Sequence, residues 1–255
     1  MMEEYKKTIR KTILLILLAA AGISGISFAW FTLADYTKVS TMKLDITNGS
    51  NLRFDVVEHD DIEDYYKTLS VERIRDQVLN ERGYDLTVTP LEPVTTSDYV
   101  NFTFEKGEAA DVNSGVYLEF PLHFMAARDM YVHLTSQNSA GNQDGTAITA
   151  QDERLTNALR VCFDVDGEKY IYDPGMSEGA VNDGNGRIFG LNNADAMVYT
   201  DNNSLFFLPA FTDQPVTVRI WLEGEDENCV DDIRKMNFTM QFRFAGTDQD
   251  NVLVE

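Results

Sequence analysis

Positive charge is in short supply in this chain. Its 255 residues hold 21 lysines and arginines against 42 aspartates and glutamates, a formal net charge of −21. Binding nucleic acid requires clustered cations to neutralise phosphate, so this balance argues against that role. It argues equally against adsorption to an anionic membrane surface. Cysteine is almost missing, with two residues, which excludes a disulfide-dense mini-fold. Three histidines and no Cys/His cluster speak against a zinc site. Six prolines and no Pro/Ser-rich stretch leave no domain linker. The catalytic signatures G-x-S-x-G, H-E-x-x-H and the P-loop are all lacking. His59 lies in an acidic run with Glu58, Asp60 and Asp61 and reads as solvated; His123 and His133 fall in predicted strands and read as structural.

Enough apolar material is present to build a core. The hydrophobic share is 44% and the aromatic share 11%, too much for a disordered acidic tail. The length permits one large domain or two small ones, and a single β-sandwich of about 200–250 residues is ordinary.

The N-terminus sets the compartment. Lys6, Lys7, Arg10 and Lys11, against Glu3 and Glu4, precede an apolar run over residues 13–29. This is the n-region and h-region of a secretory signal, with Ser27 and Ala29 at the −3 and −1 positions of a cleavage site. Cleavage after Ala29 leaves a chain beginning at Trp30. The alternative is a retained anchor, since the run extended through Trp30, Phe31 and Leu33 is long enough to span a bilayer. Either way the remainder lies outside the cytoplasm, at the cell surface or extracellular, with membrane contact only through this segment. The expected organisation is residues 1–29 as signal or anchor, 30–41 as a leader, and 42–255 as a single domain.

From Thr41 onward the texture is β. Residues 42–47 alternate apolar and polar, Asn48-Gly49 is a turn signal, and residues 52–57 form a pairing run. Further strands are expected at 86–89, 99–104, 116–124, 130–135, 159–165, 169–172, 196–199, 205–208, 216–222 and 237–244. Many short strands divided by Gly-, Asn- and Asp-rich loops mean a sandwich or a barrel. One segment breaks the pattern. Over residues 61–82, Ile62, Tyr65, Tyr66, Leu69, Ile74 and Val78 recur near a 3.6-residue period, with Gly83 as a stop, so an inserted amphipathic helix is expected.

Two features could carry chemistry. Cys162, in a predicted strand, and Cys229, in an acidic loop, could form a disulfide in an exported protein. It would close a loop of about 67 residues, worth roughly 4 kcal/mol; the alternative is two thiols, with Cys162 buried. Glu223, Glu225, Asp226, Glu227, Asp231 and Asp232 surround Cys229 and form a candidate Ca²⁺ site, the one cofactor the acids suggest. A further candidate is Asp183-Gly184-Asn185-Gly186. Neither has EF-hand spacing, and a solvated acidic loop is the competing reading.

Two stretches carry a resemblance. Residues 23–32 (ISGISFAWFT) and 38–47 (KVSTMKLDIT) join the signal to the first strand; residues 216–232 (VTVRIWLEGEDENCVDD) precede the last strand. The N-terminal stretch resembles the N-terminus of TasA/camelysin-type exported surface and biofilm-matrix proteins of Gram-positive bacteria, although Trp30-Phe31-Thr32 stands where those have Tyr-Phe. The C-terminal stretch is similar to the strand, acidic loop and strand that end surface proteins with the same signal. Together they cover about a fifth of the chain. The resemblance implies a jelly-roll-like antiparallel β-sandwich, exported through a dedicated signal peptidase. It also implies fibres in which one subunit's N-terminal strand completes the next subunit's sheet, a mode based on unpaired edge N–H and C=O groups. The donor segment would be residues 30–41, including Trp30, Phe31, Thr32 and Val39. The expectation is therefore a non-enzymatic structural subunit or adhesin that associates with itself or with other surface proteins. The rival is a secreted glycan- or Ca²⁺-binding jelly-roll module or glycan hydrolase. It requires a groove with exposed aromatics such as Trp221 or Tyr117 converging with acids.

Overall fold

Strands with one buried face read as alternating apolar and polar residues, and strand pairing then follows from which faces must be hidden. The computed structural model describes residues 37–46, 51–136 and 145–254. They form a mainly β sandwich of two sheets. The first contains β1 (Lys38–Ile46), β3 (Thr68–Ser70), β6 (Met130–Leu134), β7 (Ala147–Ala150), β12 (Ser204–Leu208) and β14 (Asn237–Thr247). Its order is β12-β6-β14-β1-β3, with β7 also paired to β14. The second contains β2 (Leu52–Asp55), β4 (Pro93–Val94), β5 (Leu118–Ala126), β8 (Leu159–Val165), β9 (Glu168–Tyr172), β10 (Gly179–Asn182), β11 (Arg187–Gly190) and β13 (Gln214–Glu223). Its order is β10-β11-β9-β8-β13-β5-β2, with β4 on β13. The pairings β1–β14, β9–β11 and β4–β13 are parallel, so the sheets are mixed where the resemblance implied antiparallel ones. The described residues belong to one compact unit.

The inner faces interdigitate. Val218 and Ile220 of β13, Phe120 and Phe124 of β5, and Phe163 of β8 meet Phe242 and Phe244 of β14 in one continuous core. Phe244 touches Phe54, Phe124 and Phe163 edge to face, with centroids 5.9, 5.1 and 5.8 Å away. Such arrangements add to simple burial because ring edges are positive and ring faces negative.

The second sheet is buried on its outer face too. Tyr99, Phe102, Val116 and Tyr117 of the segment 99–117 join Cys162 and Trp221 there in a second apolar cluster. Phe102 stacks on Tyr117 with centroids 4.2 Å apart and meets the Trp221 ring at 5.3 Å. Arg219 lies in the same layer. Its Nε donates to Glu119 at 2.7 Å and its Nη1 to Asp164 at 2.8 Å, while Arg82 reaches the other oxygen of Glu119 at 2.5 Å.

Several expectations change. The helix is α1 (Val71–Arg82) and not 61–82. Upstream, residues Ile62–Asp64 form a 3₁₀ turn, and β3 pairs with β1 through Leu44↔Leu69. Leu69 and Tyr65 are thus buried by tertiary contacts that imitate a helical period. Gly83 does end the helix, at φ 82°, donating to the Leu79 carbonyl. Residues 86–89 turn because the Asp85 side chain accepts from the Thr87 amide and hydroxyl, a local bond that outcompetes strand pairing. Residues 99–104 and 196–199 are likewise irregular, while the short strands β7, β10 and β11 and a further helix, α2 (Glu153–Ala158), carry too few residues to show a period.

Replacing Phe244 by alanine should lower unfolding free energy by about 3–5 kcal/mol, measured by urea denaturation. A loss below about 1 kcal/mol would contradict the packing described.

Candidate functional site

The leader expected over 30–41 is partly strand. Ala29, Trp30, Phe31 and Thr32 lie outside the described residues, but β1 already begins at Lys38, and Val39 is 1% exposed. Its register with β14 shifts between Val39 and Thr41, from Val39↔Phe238 to Thr41↔Thr239. The extra residue lets Val39 and Met42, three apart, both face the core. That bulge also breaks the alternation, which is why sequence places the strand start at 42.

Both ends of β1 are tied down. Thr37 donates from its hydroxyl to the Ile233 carbonyl at 2.9 Å and accepts at its own carbonyl from the Leu91 amide at 2.8 Å. At the other end Arg243 donates to Asp45 Oδ2 at 3.0 Å, and Thr68 donates to Asp45 Oδ1 at 3.0 Å. Burial opposes ionisation of Asp45, yet bonds from Lys43, the Ile46 amide and Thr68, with Arg243 alongside, hold its carboxyl below the usual range.

The other expected sites are taken apart by the fold. The acids around Cys229 do not converge. Asp226 binds Arg160 at 2.6 Å, Glu223 accepts the Trp221 indole N–H at 2.9 Å, and Asp232 faces Arg154 at 4.0 Å. Among the described residues no group of three His, Cys, Asp or Glu side chains is placed to hold a metal ion. The loop at Asp183 is a hairpin turn in which Asp183 accepts from the Asn185 and Gly186 amides and bonds the Tyr99 hydroxyl. Cys162 and Cys229 are not bonded to each other. Cys162 lies in the outer cluster of the second sheet, whereas Cys229 packs against the inter-sheet core. Trp221 and Tyr117 are 1% and 5% exposed, so the aromatic groove required by the glycan-module reading is not formed by them.

Sequence reasoning missed two polar networks. Asp55 is fully buried, and it pairs with Arg73 and with His59 Nε2 at 2.6 Å. Burial disfavours its charge, but the guanidinium and imidazole more than offset this and keep its carboxyl below the ordinary value. His59 is therefore a partner of a buried acid and not a solvated side chain. Nearby, Asp213 accepts from the Tyr65 hydroxyl at 2.7 Å and pairs with His123 Nδ1 at 2.8 Å. The Tyr65 hydroxyl in turn accepts the His59 amide at 2.9 Å. The partners, Arg73 and Asp213, lie 18 and 90 positions from Asp55 and His123, so nothing local announces them. Among the described residues no serine, threonine or cysteine side chain is hydrogen-bonded to His59 or His123. The networks clamp residues 55–65 onto the second sheet.

His133 is fully buried between Asn203 Oδ1 and Thr247 Oγ1, each at 3.0 Å. The Asn203 orientation is set, because its amide nitrogen donates to the Val198 carbonyl. Nδ1 must then carry the proton and Nε2 accept from Thr247. Burial pushes this imidazole down to about 4.

Both environments have measurable consequences. Because burial favours neutral His133, its contribution to stability is complete above the unfolded value near 6.5 and is lost as pH falls toward 4. The loss is roughly 3 kcal/mol at most. Urea midpoints from pH 7 to 4 should fall less steeply in His133→Gln than in the parent; equal slopes would refute the assignment. Burial raises the Cys162 thiol to about 12, so it should resist Ellman's reagent in the native protein and react only after denaturation. Finding no titratable thiol in denatured, unreduced protein would instead establish a disulfide. No family model matches the chain, and neither a curated protein nor a solved structure matches it.

Proposed function

We propose that this chain is a non-enzymatic, exported subunit of the bacterial cell surface or extracellular matrix, of the TasA/camelysin type, that assembles by exchanging its N-terminal strand. The observation that carries this is β1 itself. It follows directly on the apolar N-terminal segment and is inserted between β14 and β3, parallel to the last strand of the fold.

The energetics favour exchange over an idle leader. Val39, Met42, Leu44 and Ile46 are all buried at 5% exposure or less. Each contributes about 1.5–3 kcal/mol, or roughly 6–12 kcal/mol together. That is comparable with the whole stability of a domain, about 5–15 kcal/mol. A sheet lacking β1 therefore has a strong need for an equivalent strand. A neighbour's β1 in the same register supplies identical contacts, so swapping costs little beyond the connection. The excess negative charge works against indiscriminate association and leaves strand complementarity to select the partner. Export through signal peptidase would release the segment N-terminal to Trp30 and deliver the strand to the outside.

A disulfide lock tests this. Thr41 and Thr239 are exposed register partners on β1 and β14. Joined as T41C/T239C in a Cys229→Ser background, they would hold β1 in its own chain. The oxidised protein should remain monomeric by light scattering and electron microscopy, and dithiothreitol should restore filaments. Filaments from the oxidised form, or no assembly and no surface attachment by the parent, would overturn the proposal.

A further inference from the structure

A cavity of about 360 Å³ opens where the hairpin of β10 and β11 meets the segment crossing to β12. Its walls include Glu178, Arg187, Phe189, Asn192, Asp195 and Asn202. The volume is at the small end of ordinary ligand pockets, about 300–1,000 Å³. Arg187 is the unusual member. Its Nη1 donates to the Asn202 carbonyl at 2.9 Å and its Nη2 to the Ser204 carbonyl at 2.5 Å. The guanidinium lies 4.6 Å above the Tyr170 ring and 5.8 Å from that of Phe189. Its Nε is buried without a hydrogen-bond partner, as is the hydroxyl of Ser136, which lines the same cavity.

The other buried and half-buried arginines of the described residues all face carboxylates. Arg219 has Glu119 and Asp164, Arg160 has Asp173 and Asp226, and Arg243 has Asp45. In a chain with twice as many acids as bases, a carboxylate for Arg187 would be easy to provide, yet carbonyls and rings are what surround it. An arginine cannot escape by losing its proton. Among the described residues its charge therefore lacks a formal counter-ion, and burial accordingly lowers its proton affinity. The same lining carries two acids. Glu178 and Asp195 both reach the Asn192 amide, at 3.2 and 3.4 Å. Those two carboxylates would repel a compact multivalent anion such as phosphate, but they accept hydrogen bonds from hydroxyl groups.

From this pairing of one uncompensated cation with two acceptors we propose that the cavity binds a small polyhydroxylated carboxylic acid of the sugar-acid class. Its carboxylate sits against Arg187, and its hydroxyls meet Glu178, Asp195 and the Asn202 amide. The site uses no residue of β1, so it stands or falls separately from strand exchange.

The probe is D-glucuronate, titrated into the isotope-labelled full chain and followed by amide NMR. D-Glucose supplies hydroxyls without a carboxylate, acetate a carboxylate without the ring, and inorganic phosphate a plain anion. Saturable shifts at Gly179 and Gly190 are expected with glucuronate, with each control weaker by about tenfold or more. Arg187→Gln should lose about tenfold or more in affinity. Ala196→Phe, which fills the cavity from an exposed wall position and leaves Arg187 unaltered, should abolish binding even where the arginine variant fails to fold. No saturation by about 10 mM, equal binding of glucose or phosphate, or unchanged affinity in either folded variant would overturn the proposal.

Discussion

The first sheet depends on a strand that reaches it from the opposite end of the sequence. β14 has β1 along one side and β6 and β7 along the other, so its Phe238, Met240, Phe242 and Phe244 row is flanked by Met42, Leu44 and Ile46 only while β1 stays in place. The connection from β1 to its parallel partner contains nearly the whole fold, which makes this contact entropically expensive to form. Once made, it links β14 to β3, adds Met42, Leu44 and Ile46 to the inter-sheet core, and carries Asp45 to the Arg243 guanidinium. A contact so far apart in sequence and so large in buried area is the one the proposed strand exchange would transfer to another chain.

Charge organises the remainder. The net charge of −21 does not leave the buried cations unmatched. Across the outer face of the second sheet, Arg82, Glu119, Arg219 and Asp164 alternate in sign from α1 through β5 and β13 to β8. Buried ion pairs gain little net stability over apolar packing, but breaking one leaves an uncompensated charge. Such a row therefore fixes the register and the position of the covering segment more than it adds stability. Arg187 departs from this rule, and its departure coincides with a cavity.

Much of the fold was legible in the sequence because its longer strands form apolar or alternating runs divided by turn residues. Residues 118–126, 159–165, 214–223 and 237–247 declare themselves in this way. Failures arose where a local rule met a stronger one. The bulge at Val39 and Thr41 hid the first residues of β1. Tyr65 and Leu69 supplied a helical period to a stretch that is 3₁₀ turn and strand. Asp85 turned an alternating run into a side-chain-capped turn. The candidate Ca²⁺ acids and the cysteine pair were clusters in sequence only; Asp226 went to Arg160, and the two thiols went to separate apolar clusters.

Composition and near neighbours along the chain were enough to establish the β-rich class, the strong acidity, the basic-then-apolar N-terminus and the stop of the helix at Gly83. Each of these rests on residue counts or on contacts within a few positions. Folding in three dimensions was needed to lay β1 parallel to β14, to cover Trp221 and Tyr117, to set His59 and His123 each against a carboxylate, and to leave Arg187 without one. Apart from the His59–Asp55 pair, which spans four positions, those outcomes depend on pairings between residues tens to hundreds of positions apart, where burial and charge compensation, and not local periodicity, set the minimum in free energy.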